Sequence, residues 1–289
     1  MMSDSLFPAP RPFLKWAGGK GQLLPDLLKQ VRKAMPFGQY HEPFVGGGAL
    51  FFELVASSAL EGKALLSDNN ESLVEAYLGV RNRVESVIAI LLQHKRKHSE
   101  KHYYSVRSGD PKGRAERAAR IIYLNRTCFN GLFRENSKGE FNVPMGSYVN
   151  PLICDGENLR ACAKALKRAK VEQRPFETVL ERVQPGDFVY FDPPYVPVSA
   201  TSNFTSYDKE GFGENAQRRL AEVFAELARG GVKVLLSNSD TPLVRELYND
   251  FEIEIVYANR MVNSRADRRG KIAELLVRSF GLPGSSVRP

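Results

Sequence analysis

Short apolar runs that lead into a polar residue recur along this chain and constrain its fold more than any other feature. Ala64–Leu66 and Phe188–Phe191 each lead toward an aspartate, and Val232–Leu236 leads into a serine. Continuous apolar runs of this length are typical of strands covered on both faces, as in parallel sheets. Helical patterns separate them, so we predict a parallel α/β sheet with polar residues at the carboxyl ends of its strands.

The remaining periodicity completes this prediction. A helical pattern runs from Gly18 to Val31, residues 72–130 read as helices, and residues 131–150 read as a loop or hairpin. Strands are predicted at 40–44, 64–66, 169–172, 188–191, 232–236, 253–257 and 273–280, and further helices at 49–60, 156–168, 215–229 and 241–249.

The positive charge is concentrated in one internal stretch. The 289 residues include 41 Lys and Arg against 33 Asp and Glu, a net charge of +8. Residues 81–140 alone hold 14 basic and 6 acidic side chains, so they carry the whole excess. A solvated helical face is one interpretation. A mixed surface would balance both signs, however, so the pattern favours a segment that binds a polyanion.

Several classes of protein are disfavoured by composition. No apolar stretch is long enough for a membrane span, and the first residues do not resemble a secretion signal. The three cysteines, Cys128, Cys154 and Cys162, lack metal-type spacing and are too few and too scattered to predict a disulfide framework. We therefore expect a cytoplasmic protein without a membrane partner.

The most informative motif is Asp192-Pro193-Pro194-Tyr195, placed directly after a predicted strand. A stiff turn is the simplest interpretation. The motif also suits chemistry on an exocyclic amine, whose lone pair is delocalised into its ring. The Asp192 carboxylate and the Pro193 carbonyl can each accept one N–H and offset positive charge at nitrogen, while Tyr195 offers a face for an extruded base.

Two further segments point to a nucleoside ligand. Gly46, Gly47 and Gly48 follow the first strand, and glycine lets a backbone approach a ligand closely. Asp68, at the next strand end, can accept hydrogen bonds from a ribose diol. The third glycine of a dinucleotide-binding loop is missing, so the ligand needs a ribose but no pyrophosphate cradle. S-adenosylmethionine has that shape, and Lys20 could meet its carboxylate.

Three histidines recur at helical spacing at positions 94, 98 and 102. Such spacing can bind zinc. Lysines and arginines rather than carboxylates accompany them, so we predict no metal and favour a DNA-facing or solvated helix.

With these motifs in view, the sequence resembles the Dam-type DNA adenine-N6 methyltransferases. The match is collinear from about residue 13 to residue 279, and the order is that of the family: cofactor glycines, basic insertion, then Asp-Pro-Pro-Tyr. It is carried by Phe13–Lys20, Glu42–Gly46, Tyr123–Arg126, Asn130–Leu132, Gly139–Pro144, Asp192–Tyr195 and Ser199–Thr205.

The resemblance implies an α/β fold: a Rossmann-like S-adenosylmethionine-dependent methyltransferase sheet with a mainly helical target-recognition insertion that contains a β-hairpin. Residues 1–72 with 171–289 would form the catalytic domain, and residues 73–170 the recognition domain. Binding of S-adenosylmethionine, with S-adenosylhomocysteine as product, is implied for Trp16, Lys20, Phe44, Gly46, Gly48, Asp68, Phe176 and Asp192.

Contact with duplex DNA is implied for a second set of residues. Arg134 has a physical rationale for this role, since arginine can bond guanine O6 and N7 together; a phosphate contact or a surface ion pair is the alternative. Arg265, Arg268, Arg269 and Lys271 form a basic turn that can bind phosphate or remain solvated. The implied DNA-binding residues are Lys15, Arg126, Phe129, Asn130, Leu132, Arg134, Asn136, Pro144 and Arg268.

The predicted function is methyl transfer to adenine N6 within GATC after base flipping, by an enzyme that acts on DNA as a monomer and needs no metal. A companion restriction endonuclease is left open as a partner. The alternatives are a methyltransferase for another nucleic acid, target sequence or protein glutamine, and a non-catalytic DNA-binding regulator that has kept the fold.

Overall fold

A computed structural model describes residues 8–16, 18–136, 138–196, 212–259 and 271–281. The chain divides into two compact units, Met1–Gly19 with Val45–Arg174 and Lys20–Phe44 with Pro175–Pro289. In chain order the elements are α1 (Leu24–Ala34), β1 (Tyr40–Glu42), α2 (Ala49–Ala56), β2 (Ala64–Asp68), α3 (Glu71–Lys97), α4 (Glu100–Ser108), α5 (Arg114–Thr127), α6 (Gly156–Leu166), β3 (Ala169–Gln173), β4 (Phe188–Phe191), α7 (Glu214–Arg229), β5 (Lys233–Ser239), α8 (Pro242–Leu247), β6 (Glu252–Asn259) and β7 (Lys271–Arg278). Short 3-10 helices lie at Lys20–Gln22, Phe129–Gly131 and Phe176–Glu181.

The first unit combines the parallel pair β2–β3 with the helices α2 to α6. Helices α3 and α5 pack closely because small residues meet there: a Cβ on Gly79 would lie 2.3 Å from the Cβ of Ala118. Asn70 caps α3 by accepting the Leu73 N–H. Residues 72–130, which are predicted to be helical, form most of α3, α4 and α5. The assignment of residues 73–170 to a recognition insertion stays a prediction.

The predicted hairpin of this insertion is present as a short antiparallel bridge between Glu135 and Phe141. Its turn is stabilised by Asn136, whose Oδ1 accepts the backbone N–H groups of Lys138 and Glu140 at 3.0 Å each. Asn136 therefore shapes the turn that presents Arg134.

The second unit contains the strands β1, β4, β5, β7 and β6, which neighbour one another in that order. The pairs β1–β4 and β4–β5 are parallel, whereas β7 runs antiparallel to both β5 and β6. Apolar side chains of α7, including Leu220 and Phe224, are buried with Val189 and Phe191 of β4. The α/β fold predicted from the alternation of strands and helices is confirmed, but the sheet predicted to be parallel contains the antiparallel pairs β5–β7 and β6–β7.

Several elements end earlier than the sequence pattern predicts, and β1 and α2 show the physical reasons. Strand β1 stops at Glu42 because Pro43 has no N–H to donate to a strand partner. Helix α2 stops at Ala56, before the predicted end at Leu60, and two serines, Ser57 and Ser58, follow it directly. Ser58 adopts a positive φ of 57°, and the Leu60 N–H bonds back to the Leu54 carbonyl, which closes the helix.

The helices of the described part of the chain include none that combines the length and the apolar character of a membrane span. This agrees with the absence of a long apolar run in the sequence.

Candidate functional site

Asp192 and Lys20 form an ion pair at the carboxyl end of β4. Asp192 follows the last residue of this strand, and its Oδ1 lies 2.9 Å from Nζ of Lys20. Lys20 belongs to the 3-10 helix that precedes α1, and its side chain is only 6 % exposed, against 20 % for Asp192. The pairing compensates for removing the ammonium group from water.

Asp192 also accepts a hydrogen bond from β5. The Ser237 hydroxyl donates to Oδ1 of Asp192 over 2.9 Å, and the Tyr190 hydroxyl lies 2.9 Å from Ser237 Oγ. Burial raises the pKa of Asp192, whereas Lys20 and Ser237 stabilise its ionised form and oppose that rise. The carboxylate is thus held in a fixed orientation within a largely dry environment.

The rest of the Asp-Pro-Pro-Tyr motif is also fixed by side chains that lie far away in sequence. The buried Gln217 of α7 donates its Nε2–H to the Pro194 carbonyl at 2.9 Å, and Asn238 donates to Gln217 Oε1 at 3.0 Å. Tyr195 donates its hydroxyl to Glu274 Oε2 at 2.7 Å. Its ring centroid lies 4.3 Å from Lys20 Nζ, a cation–π distance. The ring therefore has one defined orientation.

Two aromatic residues predicted to contact the cofactor meet in the second unit. The rings of Phe44 and Phe176 stack with centroids 5.3 Å apart, and Phe212 packs edge-on against both. Phe176 is buried and Phe44 half-buried. The structure thus brings these two together with an aromatic neighbour that the sequence reasoning did not single out.

The glycine loop and Asp68 form a second arrangement, in the first unit. Asp68 ends β2, and its carboxylate accepts the backbone N–H groups of Gly46 at 3.1 Å and Asn70 at 3.0 Å. Gly46 and Gly48 have positive φ angles of 46° and 66°. A Cβ on Gly46 would lie 2.9 Å from Trp16 Cδ1. Glycine is therefore required where the loop passes the indole ring.

Trp16 itself is half-buried and packs against Phe133, with ring centroids 5.1 Å apart. The loop beside it is held from the other side by Tyr77, whose hydroxyl donates to the Gly46 carbonyl at 3.0 Å. The structure therefore brings Trp16, the glycine loop and Asp68 into one cluster, and cofactor binding by this cluster stays a prediction.

Both the backbone and the side chain of Lys15 have defined contacts. Its backbone N–H donates to Asn125 Oδ1 at 2.7 Å, and Asn125 Nδ2 donates to the carbonyls of Lys15 and Gly131 at 2.7 and 3.0 Å. The Lys15 Nζ lies 4.3 Å from the centre of the Tyr148 ring. A Cβ on Gly131 would lie 2.6 Å from Lys15 Cδ, so the lysine stem passes directly over this glycine.

Most of the residues predicted to contact DNA lie on the surface of the first unit. Phe129 is 51 % exposed although it is a large apolar residue, and Asn130 beside it adopts a positive φ of 53°. Arg134 is exposed and donates its Nε–H to Asn142 at 2.7 Å. Pro144 is exposed and Leu132 half-buried. An exposed aromatic ring and an exposed, oriented arginine on the same unit suit contact with a nucleic acid.

Arg126 differs from these residues in its surroundings. It is half-buried, and its Nη2 donates to the Phe13 carbonyl at 2.9 Å, which ties the amino-terminal segment to α5. Its contact with DNA stays a prediction. Arg268 and the matching segment Ser199–Thr205 lie outside the described residues, as do Arg265 and Arg269.

The three histidines gather around Tyr123. They do not share the single helix predicted for them, because α3 ends at Lys97 and α4 begins at Glu100. His94 Nδ1 lies 2.9 Å from His102 Nε2, and His98 Nδ1 lies 2.9 Å from the Tyr123 hydroxyl. Burial lowers the pKa of His94 to about 4, and the neighbouring His102 and Lys97 contribute. Within the described ranges, no group of three His, Cys, Asp or Glu residues could hold a metal ion.

The histidine cluster is expected to make folding stability depend on pH. Because folding lowers the pKa of His94 from 6.5 to about 4, the unfolded chain binds a proton there at higher pH than the folded chain. This contribution to stability is complete above pH 6.5 and is lost as the pH falls toward about 4. Urea unfolding at several pH values should show a shallower loss in His94→Gln than in the unchanged protein. Equal slopes would contradict the assignment.

Several residues of these arrangements carried no local sequence signal. The sequence predicts Ser237 only as the residue that follows a strand and Asn125 only as part of the family-like segment Tyr123–Arg126, and it predicts no role for Gln217, Glu274 or Tyr148. Their partners are between 23 and 133 positions away along the chain. Only the placement of a hydroxyl at a neighbouring strand end, as for Ser237, could have been predicted from the register of a parallel sheet.

Comparison with known proteins gives one consistent result. A family model described as D12 class N6 adenine-specific DNA methyltransferase matches residues 16–262. The Type II methyltransferase M1.LlaDCHI of Lactococcus lactis subsp. cremoris is 45 % identical over 279 residues, covering 94 % of this chain and 96 % of that protein. The Type II methyltransferase M.MjaIII of Methanocaldococcus jannaschii is 42 % identical over 287 residues, covering 93 % and 99 %. The DNA adenine methylase of Escherichia coli (strain K12) is 36 % identical over 274 residues, covering 92 % and 94 %.

Proposed function

Since the chain belongs to the D12 class of N6 adenine-specific DNA methyltransferases, we propose that it methylates the adenine of GATC in duplex DNA after flipping that base out of the helix. The methyl donor is S-adenosylmethionine, and S-adenosylhomocysteine is the product. The observation that carries the proposal is the Asp192 carboxylate, held at the end of β4 by Lys20 and Ser237 within the Asp-Pro-Pro-Tyr motif.

The chemistry of this motif follows from the needs of an aromatic amine. Asp192 accepts one N6–H of adenine and the Pro193 carbonyl accepts the other, which favours a tetrahedral nitrogen whose lone pair can attack. The negative charge of Asp192 offsets the positive charge that develops at nitrogen. Gln217 keeps the neighbouring Pro194 peptide in place, so the acceptors need no reorganisation during the reaction. The surplus amine proton leaves to water.

The described residues fit S-adenosylmethionine, which supplies an electrophilic sulfonium methyl group. The Asp68 carboxylate is oriented by two backbone N–H groups and suits a ribose diol, because a carboxylate offers about four acceptor positions. Gly46 and Gly48 allow close backbone approach, and Trp16 supplies an aromatic surface. We assign cofactor binding to these residues together with Lys20, Phe44, Phe176 and Asp192.

Base extrusion is supported by the aromatic residues. A flipped base requires a flat partner, and the ring of Tyr195 is oriented for this by Glu274 and Lys20. Phe129, which is exposed in the first unit, would occupy or stack beside the vacated position in the duplex. We assign this role to Phe129 from the resemblance, and its exposure agrees with it.

Recognition of GATC is assigned to the insertion. Arg134 would read a guanine through O6 and N7, a contact worth about 1–3 kcal/mol of discrimination. Contacts with bases or with the adjacent DNA backbone would be made by Lys15, Asn130, Leu132, Asn136 and Pro144. Contacts with phosphates would be made by Arg126 and Arg268. The enzyme would act as a monomer in the cytoplasm of a bacterium or a phage-infected bacterium, and a companion restriction endonuclease is a partner to be sought beside its gene.

The proposal is tested by mapping methylated adenines in DNA from a host without adenine methylation that expresses the protein. We expect N6-methyladenine at GATC, and Arg134→Ala should spread modification to related sites. Lys138→Ala is the matched control, because it removes a neighbouring exposed cation of the same hairpin turn. Methylated adenines outside GATC in the unchanged protein would overturn the specificity, and label in RNA alone would overturn the substrate class.

A further inference from the structure

The hydroxyl groups of β4 and β5 form a chain that ends on the catalytic carboxylate. Tyr190 is two positions before Asp192, so both side chains project from the same face of the sheet. The parallel register pairs Phe191 of β4 with Leu236 of β5, which places Ser237 beside Asp192. Tyr190 is 1 % exposed and Ser237 is fully buried, so water does not compete for these groups.

The number of hydroxyl protons determines the direction of the hydrogen bonds between Tyr190, Ser237 and Asp192. Ser237 has a single hydroxyl proton, and it donates that proton to Oδ1 of Asp192 at 2.9 Å. The Tyr190 hydroxyl at 2.9 Å must therefore be the donor to Ser237 Oγ. Burial raises the pKa of Tyr190 well above 10, so the phenol keeps the proton that this arrangement needs.

Oδ1 of Asp192 receives a second donor, Nζ of Lys20, at 2.9 Å. A carboxylate oxygen has two lone pairs, and Lys20 and Ser237 use both of those on Oδ1. We propose that Ser237, itself held by Tyr190, is a positioning residue that anchors Oδ1 of Asp192 and thereby presents Oδ2 to the amine of the substrate. This inference rests on the proposed function, because it names the oxygen that accepts the adenine N6–H.

Removing the Ser237 hydroxyl has two expected consequences. The carboxyl group of Asp192 gains freedom to rotate, so kcat should fall about 10-fold, the range for losing one hydrogen bond to a charged group. The KM values for S-adenosylmethionine and DNA should change little, because Ser237 touches neither in this proposal. Loss of a donor to the ionised form also raises the pKa of Asp192, so the acid limb of the pH profile of kcat should move to higher pH.

The experiment is a double-mutant cycle of Ser237→Ala and Tyr190→Phe. If Tyr190 acts through Ser237, Tyr190→Phe should lower kcat less than Ser237→Ala, and the double variant should equal Ser237→Ala. Tyr190→Phe keeps the buried ring, so it preserves packing where Ser237→Ala leaves a small void. Ser57→Ala is the control, because Ser57 directly follows α2 and its hydroxyl donates to the Glu53 carbonyl of that helix.

A second measurement does not depend on activity. The titration of Asp192 can be followed by carbon NMR of labelled aspartate, with Asp192→Asn used to identify its signal. Ser237→Ala should raise the pKa of Asp192 even in the free protein. An unchanged pKa, or additive losses of kcat in the double variant, would overturn the positioning role. Failure of the unchanged protein to methylate DNA would instead overturn the proposed function, while the NMR result would still decide this inference.

Discussion

Replacing Asp192 by alanine is expected to lower kcat for methyl transfer to duplex DNA by about a hundredfold to a thousandfold, the range for removing one charge-stabilising group of an active site. The side chain provides both an acceptor for the amine and a negative charge beside the nitrogen. No movement of the neighbouring loop restores these, because Gln217 and Asn238 fix the loop independently. Incorporation of a tritiated methyl group in single turnovers measures the effect.

Two further variants show whether Asp192→Ala loses activity because the protein unfolds or because the reaction lacks its carboxylate. Removing Asp192 breaks the ion pair of the buried Lys20, which costs about 3 kcal/mol of stability. The double variant Lys20→Met with Asp192→Ala removes both charges, so its stability should recover while methyl transfer stays absent. Glu254→Gln is the matched acidic control. Lys29 is the main partner that lowers the pKa of Glu254 to about 2. Replacing Glu254 should therefore lower the stability of the protein without changing kcat. Substantial transfer by Asp192→Ala would contradict the assigned chemistry.

The elements that position the candidate site could be predicted where a local pattern determines them. The apolar run Phe188–Phe191 is the strand β4 with the bounds expected, and Asp192 directly follows it. Asp68 lies at the end of β2 because the run from Ala64 continues in parallel pairing with β3. Buried parallel strands are recognised from sequence because both faces require apolar side chains.

Element ends and long-range polar contacts could not be predicted in the same way. The apolar helix α2 is predicted to extend to Leu60, because apolar residues resume after two serines, but the positive φ of Ser58 closes it after Ala56. The bonds that fix the motif run from Gln217 and Glu274 to Pro194 and Tyr195. Such contacts depend on which elements become neighbours after folding, and a single sequence contains no local signal for them.

The charge pattern of the sequence predicts the location of a DNA-binding segment but not the individual residues that contact DNA. The basic excess of residues 81–140 predicted a polyanion-binding segment, but several of these cations have structural partners. Arg117 pairs with Glu75 at 2.6 Å, and Arg120 donates to the carbonyl groups of Val106 and Arg107. A count of charges cannot separate arginines with such structural partners from the exposed side chains that remain for DNA.

A change at the glycine loop is expected to have the second large effect, on cofactor affinity. Alanine at Gly46 must adopt a positive φ of 46°, which costs about 1–2 kcal/mol. Its Cβ would also lie 2.9 Å from Trp16 Cδ1. The loop cannot retreat easily, because Gly46 is bonded to Asp68 through its N–H and to Tyr77 through its carbonyl. The indole ring must therefore move, and we expect affinity for S-adenosylmethionine to fall at least about 10-fold.

Two other glycines separate the causes of that loss. Gly47→Ala places a Cβ at an ordinary contact distance of 3.5 Å from Trp16, so it should bind the cofactor almost as the unchanged protein does. Gly186→Ala requires a positive φ of 89°, but its Cβ would have no atom of the described residues within 4 Å. This variant therefore tests the cost of the backbone conformation without a steric contact. Trp16 is the only tryptophan of the chain, so intrinsic fluorescence reports directly on this position during titration with S-adenosylmethionine. If Gly46→Ala lost no more affinity than Gly186→Ala, contact with the Trp16 ring would not be what requires glycine in this loop.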